Sequence, residues 1–160
     1  MPVLDDIREQ IKVILQGVPG IGVVHDHERL AVDINKMLKL FQTADGTINT
    51  VMFRREKMAK KSLSLGAPKQ RAHVFIFRAI RGLQDEQATE LIFDTLLTAI
   101  EETFDAHDDL NGTCESCDMD FGPMAGLSGM QIDLSENRMF GGVLCHYAEL
   151  RLQVVERHTT

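Results

Sequence analysis

Leu4, Ile7, Ile11, Ile14, Leu15 and Val18 follow one another at helical spacing, and this apolar stripe predicts an N-terminal helix. Asp5 and Asp6 lie at its favourable positive end, and Gly17, Pro19 and Gly20 stop it. The segment 21–29, IGVVHDHER, reads as a strand with β-branched residues at its start. Leu30, Ile34, Met37, Leu38 and Phe41 fit the 3.6-residue period of a second, shorter helix over 30–41. Asp45-Gly46 marks a turn, and 47–55 alternates as a strand. The stretch 58–70 carries Lys60, Lys61, Ser62, Ser64, Gly66 and Pro68 and reads as a solvated loop or hairpin tip.

The most strand-like run is 71–80. His73, Phe75, Phe77 and Ala79 alternate with Ala72, Val74 and Ile76, so both faces are apolar and the strand belongs in the middle of a sheet. A long helix is expected over 85–106, its core stripe made of Ala88, Leu91, Ile92, Leu96, Ile100 and Phe104. Periodicity then disappears. Residues 107–129 collect Gly112, Gly122, Gly126 and Gly129 and read as a long loop, mobile in a free subunit and ordered by a partner. A strand over 130–134 and a last one opened by Gly141-Gly142 complete the chain. In the last strand Leu144, His146, Ala148, Leu150, Leu152 and Val154 face one way, and Val143, Cys145, Tyr147, Glu149, Arg151 and Gln153 the other. Paired strands with few helices between them predict an α+β fold. It is one domain over 1–160, an antiparallel or mixed sheet with the N-terminal helix and the long helix packed on it.

Composition narrows the class of protein. At 160 residues, with 44% apolar and 26% charged side chains, the chain should bury ~70% of its unfolded surface without staples. It has no apolar run long enough to span a bilayer, and its start, MPVLDDIREQ, lacks the basic and apolar regions of a secretory signal. Three cysteines, an odd number, point to a reducing compartment rather than a disulfide framework. A net charge of −7 makes the chain a poor grip for phosphate.

The chemical motifs are fragmentary. Cys114-Glu-Ser-Cys117 is half of a zinc knuckle, and His107, Cys145 or His146 would have to complete it through the fold. His25 and His27, two apart on the expected strand, would share a face. Gly126-Leu-Ser128-Gly129 has the wrong spacing for a nucleophile elbow, and Gly17, Gly20 and Gly22 precede a strand rather than follow one. Glu90, Asp94, Glu101 and Glu102 read as a solvated helix face, so no catalytic residue and no cofactor site is expected.

Charge segregation is the stronger signal, read either as solvated faces that happen to be biased or as a contact between copies. Residues 84–120 hold twelve acids and no Lys or Arg, whereas 51–81 hold nine bases and one acid, Glu56. The expected contact joins Arg54, Arg55, Lys57, Lys60 and Lys61 of one copy to acids such as Glu90, Asp94, Glu101 and Glu102 of the next. Such a contact is heterologous and closes into a ring when the rotation allows.

The chain resembles the tail terminator (tail completion) proteins of long-tailed bacteriophages and prophages. The resemblance is one of pattern over most of the length. It rests on Val18-Pro19-Gly20-Ile21 followed by Val24-His25-Asp26-His27-Glu28-Arg29, on His73-Val74-Phe75-Ile76-Phe77 leading through Ile80-Arg81-Gly82-Leu83 into a long helix, and on the run from Phe140 to Leu150, FGGVLCHYAEL. It implies a non-enzymatic virion protein, assembled in the host cytoplasm into a hexameric ring. The ring would cap the tail tube, meet the head–tail connector proteins and let DNA through without binding it. A head–tail connector of the same architecture is the neighbouring expectation. A small cytoplasmic metal-binding protein or enzyme is the alternative from another class.

Overall fold

The computed structural model describes residues 3–29, 34–62, 64–66, 69–118, 128–140 and 142–157. The expected start of the second helix at Leu30, residues 119–127 of the expected loop, and Gly141 lie outside the described residues. The architecture is α+β: helices on a single five-stranded mixed sheet. In chain order the elements are α1 (Val3–Gln16), β1 (Val23–His25), α2 (Ile34–Phe41), β2 (Asn49–Lys61), β3 (Gln70–Gly82), a 3-10 turn (Asp85–Gln87), α3 (Thr89–Asp105), β4 (Gln131–Phe140) and β5 (Val143–Val155). The sheet order is β1-β2-β3-β5-β4. Among the described strands only β1 and β2 run parallel, and the connection through α2 supplies the crossover that a parallel pair needs; the other pairs are antiparallel.

Ile7, Ile11, Ile14 and Leu15 of α1 are buried with Phe93, Leu96, Leu97, Ile100 and Phe104 of α3 against one face of the sheet. That face carries Val51, Phe53, Phe75, Phe77, Ala79, Ala148, Leu150 and Leu152. Phe53 stacks on Phe77 at 5.5 Å and Phe104 meets the same ring edge-on at 5.5 Å, so aromatic contacts tie α3 to the sheet centre. The opposite face is covered only in part, where Leu38, Leu40 and Phe41 of α2 meet Met52, Ile80, Cys145 and Tyr147. β3 is buried on both faces, as its alternation requires, and β5 divides its side chains as expected.

Several boundaries differ from the sequence reading. The strand expected over 21–29 spans only Val23–His25, because His25, Asp26, His27 and Glu28 offer no apolar side to bury and the chain bends at 26–27. The loop or hairpin tip expected over 58–70 is the tip of a hairpin whose paired ribbon runs further than expected: β2 continues to Lys61 and pairs with β3 from Gln70. Backbone hydrogen bonds hold this ribbon although its side chains are solvated. β4 likewise extends to Phe140, paired with β5 throughout while most of its side chains are exposed.

The long helix starts at Thr89 rather than 85, after Ala88 adopts a left-handed conformation (φ 52°) that breaks the 3-10 turn from the helix. Its core stripe is Phe93, Leu96, Leu97, Ile100 and Phe104, while Ala88, Leu91 and Ile92 face out. Apolar residues cover more than one stripe of this helix, and periodicity alone did not choose between them.

The described part of the expected mobile loop is also packed. Residues 107–118 form successive turns, Leu110, Cys114 and Cys117 join the core, and Ser116 bridges the edge of β5 at Val155. Glu115 N–H donates to the Val155 carbonyl at 2.8 Å and Val155 N–H to the Ser116 carbonyl at 3.0 Å. These bonds fix the segment on the sheet within a single chain.

Candidate assembly surfaces

The residues that could have completed a metal site are engaged in other contacts. Cys114 and Cys117 are buried side by side near the end of α3, and the hydrogen bond with the Cys114 thiol together with burial pushes the Cys117 thiol far up, which keeps it protonated. His107 Nδ1 lies 2.8 Å from the Thr103 carbonyl. Cys145 lies in the cluster beneath α2, where burial raises its thiol to about 11, and His146 lies by Thr89 at the start of α3. Among the described residues no three His, Cys, Asp or Glu side chains gather as metal ligands. The histidine pair also separates, because His27 falls beyond the end of β1. His25 Nε2 meets the Leu40 carbonyl at 2.8 Å and His27 Nδ1 meets Asp26 at 2.8 Å.

The sheet face opposite α1 and α3 bears an ion-pair network that linear sequence reading did not detect. Arg151 donates two hydrogen bonds to Glu56 (2.8 and 3.0 Å) and a third to Asp133 (2.7 Å), linking β2, β5 and β4. This guanidinium holds the Glu56 carboxyl below the usual range. Glu28 lies 3.1 Å from both Arg54 and Arg78. Arg78 donates to the Tyr147 hydroxyl at 2.9 Å, and that hydroxyl donates to Glu149 at 2.6 Å. Arg138 lies 4.1 Å over the Tyr147 ring and donates to Glu136 at 2.6 Å. Alternation placed Glu149 and Arg151 on this face, but their partners come from strands brought alongside by register.

The network changes the expected interface. Arg54 belongs to it through Glu28 and is not a free contact residue. Arg55, Lys57 and Lys60, by contrast, are exposed and make no ion pair among the described residues; Lys61 is exposed as well. β1 pairs only with Thr50–Met52, so the outer edge of β2 from Phe53 to Lys61 carries no strand among the described residues. A bulge between Arg55 and Lys57, together with the lysines, blunts this edge against strand addition. The other open edge, β4, is blunted by its own bulge at Asp133. A neighbour would therefore meet side chains rather than extend the sheet.

On the other surface, Glu90, Asp94 and Glu102 are exposed along α3 and Glu101 is half-buried; none makes an ion pair among the described residues. At the start of the same helix a cavity of about 390 Å³ is lined by Leu83, Ala88, Thr89, Glu90, Leu91, Asn137 and His146. Thr89 Oγ1 lies 2.8 Å from His146 Nε2 and accepts from the Gln84 N–H at 2.9 Å, while Phe93 stacks on the imidazole at 5.5 Å. Burial lowers the His146 pKa, so the ring is neutral at pH 7.

A second buried histidine gives the fold an acid sensitivity. His73 is almost fully enclosed, 3.3 Å from Glu156, and burial, the largest influence, lowers its pKa despite that carboxylate. A folded-state pKa below the unfolded ~6.5 means the unfolded chain takes up more protons as pH falls. Stability from this group is therefore present above pH ~6.5 and is lost as pH falls below it. Urea midpoints should drop between pH 7 and 5, and less so in His73→Leu; equal drops would remove His73 as a source of the loss.

No known protein-family model matches the chain, and no curated protein matches it. No helix among the described residues is long and apolar enough to cross a membrane.

Proposed function

We propose that this protein is a structural virion component, a tail terminator that forms a ring on the head-proximal end of a phage tail tube. The observation carrying the reading is that one chain bears two sets of exposed, oppositely charged side chains that form no ion pair among the described residues. These are Arg55, Lys57 and Lys60 on β2, and Glu90, Asp94 and Glu102 on α3. The pattern resemblance supports it further: its segments cover the α1–β1 turn, the run from within β3 toward α3, and the end of β4 with the first half of β5. A ring of subunits each carrying −7 would repel DNA phosphates and so guide DNA without holding it. Partners on this reading are further copies of the chain, the tube protein below and connector proteins above.

Native mass measurement tests the ring: six copies of the 18.0 kDa chain give about 108 kDa. The triple variant Arg55→Glu, Lys57→Glu, Lys60→Glu should remain folded and shift toward monomer. Arg54 is left intact in this variant because its reversal would break the Glu28 pair. One exposed pair is worth only ~0–1 kcal/mol, but the set repeats at every contact. High salt, which shortens the screening length from ~8–10 Å at physiological ionic strength to ~3 Å at 1 M, should weaken the wild-type assembly in the same direction. Rings unchanged by both treatments would refute a charge-directed contact. Depletion during tail assembly should yield overlong tubes; normal tubes without heads would instead assign the protein to the connector.

A further inference from the structure

We propose that the tip of the β2–β3 hairpin docks into the cavity at the start of α3 of a second copy, with Leu65 as the apolar anchor. Leu65 is the most exposed large apolar side chain among the described residues, fully in solvent, and Met58 on the same ribbon is 41% exposed. Around them lie Lys60, Lys61, Lys69 and Arg71, all exposed. The cavity offers the complementary chemistry. Leu83, Ala88 and Leu91 supply apolar wall, Leu91 is itself 67% exposed, and Glu90 brings a carboxylate to the lining. Glu86 and Asp94 stand exposed close by in sequence on the same turn and helix. The apolar surface continues onto Met139 and Leu144, paired across β4 and β5 and 60% and 43% exposed.

Topology assigns the occupant. β3 carries the hairpin tip at its Gln70 end and leads into the cavity beyond its Gly82 end. Twelve strand steps separate these ends by roughly 40 Å, so a tip cannot fill the cavity of its own chain. A second copy can, and the contact is then heterologous, with tip and cavity each left open for the next copy. The closure of such contacts into a ring rests on the proposed function; the contact itself does not.

The test uses the full-length chain with Leu65→Cys in one preparation and Leu91→Cys in another. The native cysteines are buried and do not compete. Mixing the two under mild oxidation should give a crosslink between them that neither preparation forms alone. Leu65→Asp, at a fully exposed position, should keep the circular dichroism and Tm of the wild type while weakening self-association roughly tenfold to a hundredfold. A Leu65→Cys preparation that crosslinks to itself would replace the proposal with a two-fold contact. An assembled wild type with no mixed crosslink and an unaffected Leu65→Asp variant would overturn the docking and leave the ring standing. Mixed crosslinks in dimers or open chains would uphold the docking and overturn the ring. A wild type that is monomeric at every concentration and never crosslinks would overturn both.

Discussion

Phe77→Ala should lower the unfolding free energy by about 3–5 kcal/mol, with a fall in Tm of roughly 10 °C for a chain of this size. Phe77 is fully buried at the centre of β3, stacked on Phe53 and met edge-on by Phe104. Its removal deletes contacts with both the sheet and α3, and the neighbours that would have to close the cavity are held by strand pairing on both sides. Chemical denaturation checks the value. A loss near that of an exposed site, below about 1 kcal/mol, would mean that the aromatic cluster is not the centre of the core.

Gly22→Ala should be the most damaging single-methyl change. A β-carbon at this position would lie 2.7 Å from the Asn49 carbonyl carbon and closer still to its oxygen, so the obstacle is backbone and cannot rotate away. The chain approaches here because Asn49 Nδ2 donates to the Gly20 carbonyl at 3.1 Å and Thr50 Oγ1 to the Val23 carbonyl at 2.8 Å. Relief requires β1 to move off β2, with loss of the parallel pairing between them. A cost of about 2–4 kcal/mol is expected, together with rapid hydrogen exchange at 23–25 and 50–52. Gly66→Ala, with nothing near its β-carbon, serves as the comparison; its positive φ of 78° carries only the local backbone cost. Equal stability of Gly22→Ala and wild type would contradict the close approach.

The legibility of the fold followed burial. α1 could be read from one stripe because its outward face is largely polar, and β3 because both of its faces are apolar. Where an element is held by backbone pairing alone, side-chain pattern carried no signal: the ribbon at 57–61 and β4 beyond 134 were missed for that reason. In α3 the pattern was over-complete, since Leu91 and Ile92 obey the same period as Phe93, Leu96 and Leu97. For the candidate surfaces, the clustering of bases in 51–81 and acids in 84–120 was visible in the chain, and Arg55, Lys57 and Lys60 are indeed left exposed. Arg54 could not be separated from them, because Glu28 reaches it across 26 residues only once β1 lies beside β2.

The sequence by itself determined the local matters: the apolar stripe of α1, the turn at Asp45-Gly46, the two-sided burial of β3 and the α+β class. Each depends on side chains a few residues apart, whose spacing alone decides which face is apolar. Tertiary structure decided which side of α3 is inside, because the sheet, not the helix period, selects the buried side. It decided that 107–118 packs, through backbone bonds to an edge of β5 that sequence proximity does not reveal. It also decided which charges pair within the chain and which stay exposed. Register across strands distant in the chain pairs Arg151 with Glu56 and Asp133, and Arg78 with Glu28 and Glu149, while leaving Arg55, Lys57 and Lys60 in solvent.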